Sequence, residues 1–310
     1  MINDLLLRLM LAGSVAAALV LVLRRPMRAW GGAGGAYLLW AIVPASLLAT
    51  LVPRAAAGNG LSITLPGGAV AAGQAIASAL PADGGATAAL PLAWLVGALA
   101  TAGWLAWRQR SFERHVGLAP DGRRRSVVRL GDPRSGPVLV GVLRPTLVLP
   151  ADFRHAYDCT ERRLVLAHER VHAERGDLLA NALCALLQCL CWCNPLIHFA
   201  ARRFRIDQEL ACDELVLRRH GRAAIYARTM LKVQLSTQNV PLACQWQAPH
   251  PLKERIMNLK SQVSPARRSA GQFVAAALLA ATSLAACTTS RWNCPAPTRA
   301  CRCAPASPPR

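Results

Sequence analysis

The chain has 310 residues, of which 53% are hydrophobic and only 17% charged, and 36 basic against 16 acidic side chains give a formal net charge of +20. The apolar content excludes an intrinsically disordered chain, and the length excludes a small disulfide scaffold. Soluble domains carry about 25% charged residues, so what remains is a membrane protein with a basic polar part, or a basic domain held at a membrane.

Four stretches, 5–23, 35–52, 89–107 and 269–287, approach the roughly 20 apolar residues that a helix needs to cross a bilayer. The second contains Pro44, which a membrane helix tolerates, and the third has Trp94, Trp104 and Trp107 near its ends. Arginines lie beside the predicted ends: Arg24, Arg25 and Arg28 after the first, Arg108, Arg110 and Arg114 after the third, Arg267 and Arg268 before the fourth. Positive charge marks the cytoplasmic side, so both termini are expected outside. The loop 53–88 carries only Arg54 and Asp83 and reads as external. So does the Pro- and Cys-rich tail 288–310, where Cys294, Cys301 and Cys303 face an oxidising compartment in which a disulfide can form. Residues 108–268 then form a cytoplasmic domain whose basic surplus suits an anionic inner leaflet. With no zinc-finger spacing and no aromatic ladder, direct nucleic-acid binding is not expected.

Inside that domain, RSVVRL, GPVLVGV and TLVLP read as short strands, separated by turns at Asp132-Pro133 and Arg144-Pro145. Their exposed edge can accept a substrate strand. A helix follows over LVLAHERVHAERGD. Thr160 is its expected N-cap, with an incomplete capping box because Arg163 stands three residues on. Leu164, Val165, Ala167 and Val171 form its apolar side, and Gly176 its stop. This helix carries His168-Glu169-Arg170-Val171-His172, an HExxH pattern. Positions i and i+4 share a helix face, so both imidazoles can reach one ion, and zinc accepts neutral imidazole readily. Glu169, beside the first His, can take the proton of the attacking water. The bland reading is two surface histidines flanked by charges.

A hydrolytic zinc site needs a third protein ligand and one open position. The helix containing FRIDQELACDELVL offers Glu209 as that ligand and Asp213, one turn on, to hydrogen-bond a ligating His and fix its tautomer. Asp207 and Glu214 are expected on a solvated helix face. The intervening apolar stretch 178–201 resembles a further span, but a single crossing would put His172 and Glu209 about 30 Å apart. Asn194-Pro195, a good helix entry, splits it, so a helical hairpin is expected, buried in the domain or dipping into the membrane. Its Cys184, Cys189, Cys191 and Cys193 read as small buried hydrophobes. Cys159 and Cys212 read as reduced thiols, and His198 as packing. Glu161, Arg162, Arg163, Glu174, Arg175 and Asp177 crowd the HExxH motif, which puts the metal near the interface or in the cytoplasm rather than within a span.

HExxH followed by ExxxD on a later helix resembles the gluzincin metallopeptidases. The segments LRPTLVLPADF, ERRLVLAHERVHAERGDLL, NPLIHFAARRFRIDQELACDELVL and HPLKERI, together with the span layout, resemble the bacterial BlaR/MecR-type membrane zinc metallopeptidases. The resemblance implies a mainly α membrane protein, with a cytoplasmic α+β gluzincin-like metalloprotease domain inserted between the third and fourth of four transmembrane helices. It implies one zinc ion on His168, His172 and Glu209, with Glu169 as general base. HPLKERI is also similar to an HPxxxR element of Ste-type membrane proteases, which makes His250 and Arg255 candidates to stabilise the oxyanion, with Asp213 supporting a ligand. The implied partners are the lipid bilayer and a cytoplasmic protein substrate, a transcriptional repressor or the protein itself, cut during signal transduction at a bacterial inner membrane. The alternative is a catalytically silent signalling or scaffold protein retaining a structural zinc site. The β-lactam sensors of that family carry a large external penicillin-binding domain after the fourth span, which this sequence is expected to lack. Its three lysines, Lys232, Lys253 and Lys260, follow Thr229, His250 and Met257 at the spacing of an S-x-x-K motif, so acylation by a β-lactam is not expected.

Overall fold

The structure is a computed structural model and describes residues 2–51, 86–115, 127–130, 136–237, 252–260 and 263–289. Most of the loop 53–88 and nearly all of the tail 288–310 with Cys294, Cys301 and Cys303, both expected to be external, and His250 lie outside the described residues. The architecture is mainly helical with one small sheet.

Helix α1 (Ile2–Leu38) is broken at Gly32, whose φ of 84° lies in the left-handed region that glycine enters without a Cβ clash. A short 3-10 turn (Leu39–Ala41) leads into α2 (Ile42–Leu51). The chain doubles back, so that a Cβ at Gly13 would lie 3.5 Å from Leu47 Cδ2. The first predicted span thus lies before the Gly32 break and the second after it, in one helical run without an intervening loop. Ala16, Ala17 and Val20 pack with Leu39, Trp40 and Ile42 in a core that Ile197, Ala200 and Phe204 complete. Helix α3 (Ala86–His115) covers the third predicted stretch. Among the described residues, two segments, Asn3–Leu51 and Ala89–Arg114, are long and apolar enough to cross a membrane.

The sheet holds β1 (Val127–Leu130), β2 (Val138–Val140) and β3 (Thr146–Pro150) in the order β1-β3-β2. Strand β1 runs parallel to β3 and β2 antiparallel, with Leu139 opposite Leu147. A short helix, α4 (Phe153–Ala156), leads to the HExxH helix α5 (Cys159–Arg175). The N-cap of α5 is Asp158, two residues before Thr160. Its carboxylate accepts from the Thr160 and Glu161 amides at 2.7 and 2.8 Å, and Glu161 accepts from the Asp158 amide at 3.1 Å. The capping box is complete in this earlier register because an acid stands three residues after Asp158, not after Thr160. Gly176, at φ 68°, ends α5 as expected.

Helices α6 (Asp177–Leu190) and α7 (Pro195–His220) form the expected hairpin, split at Asn194, whose side chain accepts from the Leu196 amide at 3.0 Å. The hairpin tip lies among the apolar helices. Asn194 Nδ2 donates to Ser14 Oγ at 2.7 Å, Trp94 Nε1 to the Leu190 carbonyl at 3.0 Å, and Trp192 Nε1 to the Trp94 carbonyl at 3.1 Å. His198 braces the turn through the Trp192 carbonyl at 2.8 Å. Of the hairpin cysteines only Cys191 is buried, while Cys193 is exposed.

Helix α7 belongs to two cores. Its first half packs on α1 and α2, and its second half places Cys212 and Val216 against Leu164 and Val171 of α5 and Tyr226 and Met230 of α8 (Ala223–Thr237). Full burial of a side chain such as Val171 or Val216 contributes about 1.5–3 kcal/mol, so this contact holds α5 and α7 in a fixed relation. Helices α9 (Leu252–Lys260) and α10 (Pro265–Thr289) complete the described chain. Helix α10 contains the fourth predicted stretch and crosses α1 backbone against backbone. A Cβ at Gly31 would come 2.7 Å from Gly271 Cα, and one at Gly271 would come 2.5 Å from Gly31 Cα.

Candidate metal centre

The i, i+4 spacing on α5 brings His168 and His172 together, with their Nε2 atoms 3.1 Å apart. Glu209, carried in by α7, sets Oε2 3.5 Å from His168 Nε2 and Oε1 3.6 Å from His172 Nε2. Zinc–ligand distances of about 2.0–2.1 Å in a tetrahedron put neighbouring ligand atoms about 3.3 Å apart. Each of these separations is close to that spacing, with a different Glu209 oxygen facing each imidazole, and two imidazoles and a carboxylate suit zinc chemically.

The outer nitrogens are held as well. His172 Nδ1 lies 2.6 Å from Asp177 Oδ2, and His168 Nδ1 lies 2.8 Å from the Tyr226 hydroxyl. Tyr226 donates to Asp213 Oδ1 at 2.8 Å, while Asp213 itself stands 3.5 Å from His168 Nδ1. The phenol thus intervenes where the sequence suggested direct contact. Arg255 of α9 grips Asp213 with two bonds of 2.8 and 2.7 Å, and its Nη1 lies 3.3 Å from Glu209 Oε2. Cys212, fully buried, places Sγ 3.4 Å from His168 Nδ1, and it forms with His168 and His172 a cluster of donor atoms within 4.8 Å of one another. Its thiol meets the nitrogen that Tyr226 also engages and interacts with His172 as well, whereas the two Glu209 oxygens each face one Nε2 atom.

Charge in the site follows from these neighbours. Burial raises the Glu169 carboxyl above its ordinary range, against the pull of His168 and His172. Burial works against charge on Arg255 too, but Asp213 and Glu209 outweigh it and hold the guanidinium firmly protonated. The Tyr226 phenol is pushed up by burial and by Asp213, so it stays a donor.

Of the residues named from sequence, His168, His172, Glu209, Asp213 and Arg255 converge here. Glu169 is half-buried on the same helix, and His250 lies outside the described residues. Asp177 and Tyr226 were not singled out. Asp177 looked like one of several flanking charges, and Tyr226 sits on a separate helix with no pattern linking it to HExxH. Asp207 and Glu214 are not on a solvated face. Asp207 is 1% exposed and bonded to Arg24, and Glu214 accepts from the Ala33 and Gly34 amides at 2.6 and 3.2 Å and pairs with Arg268. The face that looks polar in sequence packs against α1 and the start of α10.

An HExxH helix packed on a helix that presents a carboxylate to both of its histidines is the arrangement of a metallopeptidase-type scaffold. The chain belongs to the family described as BlaR1 peptidase M56, whose model matches residues 4–259, from the first helix to α9. It is 35% identical over 82 residues to "Regulatory protein BlaR1" of Bacillus licheniformis, a match covering 26% of this chain and 14% of the relative. It is 26% identical over 102 residues to "Methicillin resistance mecR1 protein" of Staphylococcus aureus, covering 32% of this chain and 17% of the relative. The matches thus span less than a fifth of these curated relatives.

Proposed function

We propose that this chain is an integral-membrane, zinc-dependent endopeptidase that cuts a cytoplasmic protein, a transcriptional repressor or itself, in signal transduction. The observation that carries the reading is the meeting of His168 Nε2 and His172 Nε2, 3.1 Å apart, with the Glu209 carboxylate, whose Oε2 lies 3.5 Å from the first and Oε1 3.6 Å from the second, on a helix that also carries Glu169 between the two histidines. His168, His172 and Glu209 would hold the zinc, which supplies Lewis acidity and makes water acidic enough to attack at neutral pH. Glu169 takes the proton of the attacking water and passes it to the leaving amine, a role suited to a carboxylate whose pKa burial raises. Asp177 and Tyr226 orient the two imidazoles, and Arg255 steadies Asp213 and Glu209. His250 remains the proposed oxyanion donor, on the resemblance of HPLKERI alone.

The substrate strand is proposed to add to β2. Support comes from its place at the sheet edge, paired with β3 alone among the described strands. The proposed topology keeps four transmembrane helices, with the protease domain at 108–268 on the cytoplasmic side of a bacterial inner membrane and the α6–α7 hairpin dipping into the bilayer. Supporting the last point, Leu179, Leu183, Leu186 and Leu190 form an exposed apolar stripe along α6, and the hairpin tip bonds to Ser14 and Trp94. A second reading, a silent signalling or scaffold protein with a structural metal, is favoured by the Cys212 thiol at the site.

Glu169→Gln separates the two. The peptidase reading expects the variant to keep its metal, lose cleavage by about 10²–10⁴-fold, and accumulate an uncut partner that proteomics can identify. An undiminished cellular response in E169Q would instead support the silent scaffold.

A further inference from the structure

Tyr37 lies just after the Gly32 break, on the helical run that enters α2. Its hydroxyl donates to Asp177 Oδ1 at 2.9 Å, and the other oxygen of that carboxylate lies 2.6 Å from His172 Nδ1. His172 in turn points Nε2 at His168 and Glu209. Three side chains, separated by up to 140 positions in sequence, thus form one hydrogen-bonded line from the first apolar helical segment to the metal centre.

The tyrosine is itself held. Its ring stacks on Phe204 with centroids 5.6 Å apart, the Arg175 guanidinium covers it at 4.3 Å, and Gln208 Nε2 donates to its oxygen at 3.3 Å. Asp177 is 2% exposed, so no solvent replaces the phenol if it is removed. Oδ1 would then keep only Arg175 Nη2, at 3.5 Å. A carboxylate bonded through one oxygen alone is free to rotate, and His172 loses the restraint on its tautomer and ring angle.

We propose that Tyr37 is a positioning residue for His172, and that through it the first helical segment sets the affinity of the centre for its metal. This rests on the metal reading above. Because the hydroxyl stands on α1 and the imidazole on α5, a shift of α1–α2 against α5–α6 changes this line directly, separately from the Arg24 contact by which α1 also holds α7.

The test uses the full chain in detergent, with cobalt(II) as the probe, read by its visible absorption and by competition with a chelator. Tyr37→Phe keeps the ring and removes only the hydroxyl. The expected result is cobalt affinity weaker by about tenfold or more, with an altered cobalt spectrum. Asp177→Asn should weaken it further, and the double variant should be no weaker than D177N, because the two act in series. Gln208→Leu, which frees the Tyr37 oxygen, should move affinity the same way and carries the test if Y37F does not fold. Unchanged affinity and spectrum in Y37F or, failing that, in Q208L, or additive losses with D177N, would overturn the role of Tyr37 while leaving the metal centre intact. A wild-type chain that takes up no cobalt overturns both.

Discussion

Arg24 and Asp207 stand 183 positions apart in sequence, and the guanidinium donates to the carboxylate through two bonds of 2.7 and 3.0 Å. Both side chains are almost fully buried, at 4% and 1% exposure. The Trp40 indole N–H adds a bond of 2.8 Å to Asp207 Oδ2. Burial pushes the Asp207 carboxyl upward against the pull of Arg24. Such a pair contributes little net stability but fixes geometry, since either charge alone in that environment is far worse than both together. It clamps α1 to α7 two residues before Glu209.

Arg24→Ala should therefore destabilise the fold, by less than the roughly 3–5 kcal/mol of a wholly unpaired buried charge, because Arg28, 3.8 Å away, and Trp40 still face Asp207. Replacing both residues by leucine should recover most of that loss. Denaturation of the purified variants in detergent reads this directly, and a double variant as unstable as R24A would refute the clamp.

Glu209→Gln and Cys212→Ser distinguish the two donor sets. The Nε2 geometry predicts that E209Q loses at least tenfold in metal affinity, while C212S keeps metal at the wild-type level. Metal content after dialysis against graded chelator measures both. The reverse pattern would move the ion to the thiol and favour the structural reading.

At the crossing of α1 and α10, Gly271→Ala would place a methyl 2.5 Å from Gly31 Cα. Backbone cannot yield as a flexible side chain does, so the helices must part, at a cost of about 1–3 kcal/mol. Gly103→Ala is the control, because nothing lies within 4 Å of the added carbon. Equal melting temperatures for the two variants would show that the helices do not meet in this way.

The start of the HExxH helix should be sensitive to acid. The Glu161 and Thr160 amides hydrogen-bond the Asp158 carboxylate and hold its pKa below the ordinary value. A carboxyl whose pKa is lower in the folded than in the unfolded chain stabilises the fold above the unfolded value, about 3.9. It loses that contribution as pH falls through the folded value. Asp158→Asn keeps a capping oxygen but does not titrate, so the gap in melting temperature between wild type and D158N should narrow below about pH 4. A gap independent of pH would rule out this contribution.

Much of the scaffold was legible because local rules write it. Gly176 stops a helix, Asn194-Pro195 starts one, and short β-branched runs between prolines make strands, all through interactions within a few residues. The Asp158 cap follows the same local rule, in a register two residues before Thr160. The break at Gly32 was not legible, because a glycine between two apolar runs is compatible with a loop, a bend or a straight helix.

The sequence by itself determined the HExxH pair, the hairpin that returns the chain, and the acids offered on α7, because helical periodicity alone puts those groups on shared faces. Tertiary structure alone decided that Tyr226 stands between His168 and Asp213, that Tyr37 reaches Asp177, and that Asp207 and Glu214 bind α1 and α10 rather than water. Those contacts join residues on separate helices, and no periodicity within one helix specifies which neighbour packs against it.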